Sequence, residues 1–245
     1  MDRTVKLVLA YDGAAYQGWQ RQPDRPTVQG AVEAAIQAVT RVRSPVHGSG
    51  RTDAGVHAIG QVCHFRTACG LPAETLVRAL NANLPEDVAV RAAADAPADF
   101  HARYSAVRKT YFYQAYVDAH RDPLRRRRAL HLRRPPDLGA MRRAAAHLVG
   151  RHDFRSFATE APPDLDTVRT MFALRIVGTP RGFRIFATSN GFLQHMVRSI
   201  AGCLLRVGMG RDDPSEPARI LAARDRREAP AALPAHALFL WRVDY

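Results

Sequence analysis

Residues 48–58 read G-S-G-R-T-D-A-G-V-H-A. Three glycines, Gly48, Gly50 and Gly55, surround one acid, Asp53, placed between Arg51 and His57. No apolar period runs through the stretch, which excludes a buried strand or an amphipathic helix. Glycine permits positive φ angles and close backbone approach, so the segment reads as a tight, shaped loop holding a carboxylate. Residues 44–49 and 59–65, around it, read as strands, so the loop joins two strands.

Working outward, residues 5–11 form another apolar run of strand character. Thr27 is placed to cap a helix whose apolar positions Val28, Val32, Ile36 and Val39 recur at helical spacing. Pro72 opens a second helix carrying Leu76 and Leu80 and ended by Pro85. A strand at 88–92 follows, so the first half reads β-α-β-β-α-β. The second half repeats this order. Residues 109–117, rich in Tyr, Phe and Val, read as a strand. Asp137 caps a helix with Leu138, Met141, Ala145 and Leu148, and Gly150 follows its end. Residues 168–177 and 182–188 read as strands joined by a turn at 178–181. A helix over 192–207 carries Phe192, Met196, Ile200, Cys203 and Val207 on one face. A short helix at 217–223 and a strand at 237–243 close the chain.

The expected fold is therefore α+β: two ferredoxin-like (βαββαβ) halves, residues 1–104 and 105–245, with antiparallel sheets flanking a central active-site cleft. The halves join around 101–108. The repeat is one of element order, with no residue-level self-similarity. Residues 121–136, with four consecutive arginines from Arg125 to Arg128, interrupt the pattern and read as a basic loop; such a run is most often solvated and mobile, and in this charge context phosphate contact is the alternative.

The chain has 245 residues, enough to bury a core without disulfides or metals. Lys and Arg total 36 against 23 Asp and Glu, a formal net charge of +13. That balance favours a polyanionic partner, and nucleic acid is the commonest one. The bias to arginine, with Lys6 and Lys109 the only lysines, also fits a GC-rich genome. No apolar run reaches the length of a membrane span, and the N-terminus lacks the apolar core of a signal peptide. Cys63, Cys69 and Cys203 form no C-x-x-C pair, which points to a reducing cytoplasm.

Three further segments combine polar chemistry with unusual composition: Y-D-G-A-A-Y-Q-G-W-Q-R-Q at 11–22, R-K-T-Y-F-Y at 108–113, and N-G-F-L-Q-H-M-V-R-S-I-A-G at 190–202. Together with the opening loop they make the chain resemble the TruA-type tRNA pseudouridine synthases over nearly its whole length. G-R-T-D-A-G-V-H-A-x-G-Q-V-x-H-F resembles that family's catalytic block and F-L-x-H-M-V-R its C-terminal block. One departure is at Pro234-Ala-His-Ala-Leu238, where a glycine usually precedes the leucine.

The resemblance implies an enzyme that isomerises uridine to pseudouridine at positions 38 to 40 of the tRNA anticodon stem-loop, without metal or organic cofactor. It implies a homodimer that contacts the stem-loop and body of tRNA. It places the catalytic aspartate, the nucleophile, at Asp53, and an arginine that pairs with it at Arg198. Arg51 would assist when the target base leaves the stack. The family's active-site tyrosine falls on Tyr111, packed against the base, and both stacking and base-catalyst roles are open to it. Tyr113 shares its strand face, and only the family register selects between them. His195 lies three residues before Arg198, so on a helix the two share a face and would present substrate-binding groups together. Lys109 is placed to bind phosphate.

Each residue alone has a plainer reading. Asp53 could be a turn residue, Tyr111 an ordinary strand aromatic, Arg198 a surface helix residue and Lys109 a solvated lysine. Trp19 and Phe154 read as packing. His57, His64 and His195 lack metalloenzyme spacing and read as ordinary hydrogen-bonded histidines. A non-catalytic RNA-binding protein of two RRM-like units is the competing function. It explains the charge and element order but gives no reason to keep an acid beside an RNA groove.

Overall fold

The computed structural model describes residues 2–159, 161–162 and 164–245. They divide into two compact units, Met1–Val107 with Phe239–Tyr245, and Arg108–Leu238.

The first unit opens with β1 (Arg3–Tyr11), in which Val5, Leu7, Leu9 and Tyr11 alternate into the core. Helix α1 (Val28–Thr40) starts where the sequence places its cap, with the Thr27 hydroxyl accepting from the Gly30 N–H at 3.4 Å. Val28, Val32 and Ile36 are buried, while Val39 is only half-buried in the last turn. After β2 (His47–Gly48) and β3 (His57–Thr67) comes α2 (Ala73–Asn81), anchored by Leu76 and Leu80. This helix stops well before Pro85. Its last side chain, Asn81, accepts from the Val90 N–H at 2.7 Å and donates to the Val90 carbonyl at 2.9 Å, tying it to β4 (Val88–Ala96).

β3 pairs antiparallel with β1, and β1 with β4 on its other edge, while β2 lies on β3. The order is thus β4-β1-β3-β2. The strand expected over 44–49 is cut to two residues. Val46 has its N–H taken by the Glu33 carboxylate at 3.2 Å and its carbonyl by the Gln29 amide at 3.0 Å. Side chains of α1 thus claim the backbone groups a ladder would need.

The second unit contains β5 (Arg108–Val117), β6 (Leu130–Leu132), α3 (Leu138–Ala146), β7 (Gly150–Asp153), β8 (Val168–Thr179), β9 (Gly182–Ser189), α4 (Met196–Gly208) and α5 (Glu216–Ala223). The sheet order is β6-β5-β9-β8-β7, antiparallel except for the β5–β6 pair. Asp137 caps α3 through the Gly139 and Ala140 N–H groups at 2.7 and 3.0 Å. That helix ends before the buried Leu148, and Gly150 opens β7.

Neither β6 nor β7 was expected. The basic segment is more structured than a loop: it contains β6, the Gln114 amide holds the Arg128 carbonyl at 2.5 Å, and Arg125 pairs with Asp122 at 3.1 Å while lying over the Tyr116 ring.

The helix expected over 192–207 begins only at Met196. His195 has φ +58, in the left-handed region, and the residues before it form turns. His195 and Arg198 therefore do not share a helix face. Met196, Ile200, Cys203 and Val207 are buried as expected, but ten of the helix's residues are buried, on almost every side.

The final strand, β10 (Leu238–Asp244), pairs parallel with β3 through Phe239↔His57 and Leu240↔Ala58, and residues 239–245 group with the first unit. The fold is mixed, with five helices among the described residues and mostly antiparallel strand pairing.

Candidate active site

In the first unit the loop between β2 and β3 is held from both ends. The Ser49 N–H donates to the Val62 carbonyl at 2.7 Å, and the Ser49 hydroxyl donates to the Gln61 side-chain oxygen at 2.7 Å. The Gln61 amide donates to the Gly50 carbonyl at 3.0 Å. Gln61 is fully buried, so one side chain fixes the loop's entry. At the next residues the Trp19 N–H donates to the Thr52 carbonyl at 3.0 Å, and the buried Tyr11 hydroxyl meets the Thr52 hydroxyl at 2.8 Å. A turn closes beyond Asp53, with the Val56 N–H on the Asp53 carbonyl at 3.1 Å and the Gly55 N–H on the Tyr16 carbonyl at 3.4 Å.

The neighbouring 12–20 segment can approach this closely because Gly18 has φ +91. A β-carbon there would stand 2.6 Å from the Thr52 carbonyl oxygen.

Asp53 is half-buried in this frame. Arg51 is exposed, and its Nε donates to the Gln20 side-chain oxygen at 3.2 Å. His57 is buried, with Nδ1 at 3.1 Å from the Gly13 N–H and 3.0 Å from an Asp12 carboxylate oxygen. Its ring stacks on Phe239 at 4.6 Å. His64 is also buried, accepting from the Ala102 N–H at 3.1 Å and packed against the His47 and His101 rings. Burial, followed by the nearby His101 and His47 rings, pushes the His64 pKa down to about 4. Both histidines are thus hydrogen-bonded within the core. Burial also holds the Tyr11 phenol above its ordinary range, so it remains protonated.

In the second unit Lys109 and Tyr111 lie on β5, in register with Ser189 and Ala187 of β9. Lys109 is half-buried, and Tyr111 is buried with its ring edge-on to Phe192 at 5.1 Å. Tyr113 points the same way along the strand, but its hydroxyl donates to the Pro234 carbonyl at 3.1 Å. Arg198, half-buried in the first turn of α4, donates from Nε to the Leu233 carbonyl at 2.6 Å. His195 sits at the left-handed position preceding that turn, half-buried. Ala237, where the resemblance expects glycine, does not need a positive φ, so a residue with a β-carbon is accommodated there. Trp19 and Phe154 are packing residues, 2% and 0% exposed.

The candidate residues thus form two groups, Arg51 and Asp53 in the first unit, and Lys109, Tyr111, His195 and Arg198 in the second. Sequence reading overlooked Gln61, Tyr11 and Leu233 as their supports. Gln61 and Tyr11 lie inside quoted motifs and carry polar groups at buried strand positions. Leu233 contributes only backbone and leaves no such signal.

A loop holding a carboxylate on an α+β scaffold defines an enzyme class once set beside known proteins. The tRNA pseudouridine synthase family profile matches residues 7–105 and 144–245, and the chain belongs to that family. The profile match runs on either side of 106–143, which holds Lys109 and Tyr111, but full-length relatives span that segment too. The tRNA pseudouridine synthase A of Bacillus velezensis is 45% identical over 243 residues, covering 98% of each chain. That of Bacillus subtilis is 44% identical with the same coverage. That of Chloroflexus aurantiacus is 45% identical over 248 residues, covering 99% of this chain and 89% of its own. The protein is accordingly an isomerase of the tRNA pseudouridine synthase A type.

Proposed function

We propose that the protein converts uridine to pseudouridine at positions 38 to 40 of the tRNA anticodon stem-loop, with Asp53 as nucleophile and no cofactor. The observation that carries this reading is the loop around Asp53, whose backbone is bonded at Gly50, Thr52 and Asp53 so that a short carboxylate is delivered in one place. Family membership supplies the chemistry, and weighs against a non-catalytic RNA-binding protein.

The reaction is an internal rearrangement. The bond from the ribose to uracil N1 breaks, the base turns, and carbon 5 joins the ribose. Carbon 5 loses its proton and N1 gains one, so nothing is consumed. A carboxylate suits the first stage because it can attack the ribose–uracil system or stabilise it while the base is detached. Arg198 supplies the cation of the catalytic set. Tyr111 packs against the uracil. Its phenol serves either to stack on the uracil or to remove the carbon 5 proton. Arg51 assists base extrusion, and His195 and Lys109 bind the substrate. The two βαββαβ halves are ferredoxin-like, a reading that the β4-β1-β3-β2 order of the first unit supports. The net charge of +13 supports a tRNA partner contacted through phosphate. The enzyme acts as a cytoplasmic homodimer.

The test is tritium release from tRNA transcripts labelled at uridine carbon 5. Release is expected when uridine occupies positions 38 to 40 and is lost when those uridines are replaced by cytidine. No release, or release indifferent to the replacement, would overturn the proposal.

A further inference from the structure

The segment between α5 and β10 lies outside the strand ladders, and it is bonded within itself and to α4 and β5. The Arg226 guanidinium donates to the Ala229 and Pro230 carbonyls at 2.8 and 3.1 Å. The segment then passes so close to α4 that a β-carbon on Gly202 would stand 2.9 Å from the Ala231 carbonyl oxygen. At Leu233 it meets Arg198 twice. The arginine Nε donates to the Leu233 carbonyl at 2.6 Å, and the Leu233 N–H donates to the Arg198 carbonyl at 3.2 Å. The next carbonyl, that of Pro234, accepts the Tyr113 hydroxyl at 3.1 Å. Tyr113 itself is 1% exposed, so its ring is held in the core while its hydroxyl reaches the exposed Pro234.

We propose that residues 230–234 act as a brace for Arg198 and that Tyr113 is the positioning residue that holds the brace in place. This rests on the reading of Arg198 given above. A guanidinium is planar, so committing Nε to one carbonyl fixes the plane and the direction of both terminal nitrogens. The brace is stiff for a segment without secondary structure, because Pro230 and Pro234 fix φ at both ends and lack an N–H. What remains is its carbonyl row, and Tyr113 grips the one beside Leu233. Tyr111 and Tyr113 thus divide the labour of one strand face: Tyr113 is spent on the brace.

The prediction is a turnover effect without a binding effect. Tyr113→Phe removes only the hydroxyl and should lower kcat about tenfold, with KM for tRNA nearly unchanged and the melting temperature lowered by about 2–4 °C. Arg198→Lys keeps the charge but has no guanidinium plane to set, so it should lower kcat further, and adding Tyr113→Phe to it should cost nothing more. Full kcat in Tyr113→Phe, or an equal loss from it in both backgrounds, overturns the brace alone. Wild-type kcat in Arg198→Lys overturns the brace and the role of Arg198 together. Should Tyr113→Phe fold poorly, Pro234→Gly, which keeps the carbonyl but frees the segment, is read by the same criteria.

Discussion

In the first unit, what is fixed around Asp53 is the backbone: Gly50, Thr52 and Asp53 each have their carbonyl bonded, and buried Gln61 and Tyr11 stand behind them. In the second unit, Arg198 rides on a regular helix, and it is the side chain that is fixed, by the Leu233 carbonyl. The contrast follows from reach. A carboxylate on a two-bond stem goes where its Cα goes, so the loop must be placed. An arginine reaches in many directions from any Cα, so it needs a partner along its length. Damage to the first region should therefore come through backbone changes, and damage to the second through loss of single contacts.

Gly18→Val is the strongest way to break the first arrangement without touching Asp53. It forces a branched side chain onto φ +91 and into the Thr52 carbonyl. Turnover should fall about 100-fold, and stability by about 1–3 kcal/mol, read by tritium release and urea unfolding. Normal turnover would mean that the loop tolerates displacement. Gln61→Leu leaves the Gly50 carbonyl and the Ser49 hydroxyl without their partner. It should cost about 1–3 kcal/mol with a smaller loss of turnover. Tyr11→Phe removes one bond behind the loop and should cost about 1 kcal/mol, measurable by the same unfolding curves.

Acid sensitivity sharpens the comparison in another way, since the buried histidines among the described residues, His57 and His64, both lie in the first unit. His64 has its pKa lowered from 6.5 to about 4, so the unfolded chain binds its proton more readily than the folded one. Its contribution to stability is present above about pH 6.5 and is lost as the pH falls toward 4. Amide exchange around β3 should accelerate over that window, and His64→Leu should remove that part of the pH slope. An unchanged slope in the variant would assign the sensitivity elsewhere.

Element order was legible because its signals are local: alternation in β1, the Thr27 and Asp137 caps, and the helical spacing of Leu76 and Leu80. The misreadings come from partners distant in sequence. Residues 44–49 have strand composition, but Gln29 and Glu33 of α1 claim Val46. Phe192 and Leu193 continue the apolar period of α4, while the left-handed His195 ends the helix ahead of them. In the candidate site, Asp53 stood out because its motif is contiguous. The brace did not, because Arg198 and Leu233 are 35 residues apart and Leu233 offers only main-chain atoms, which carry no side-chain signature. Strand alternation could not separate Tyr111 from Tyr113. In the structure the Tyr113 hydroxyl donates to the Pro234 carbonyl.

The decisive measurement is tritium release by Asp53→Ala on tRNA transcripts, alongside its tRNA affinity. Release should be abolished while binding stays within about tenfold of wild type, or about 1.4 kcal/mol. Release at the wild-type rate would contradict the assignment of Asp53 as nucleophile.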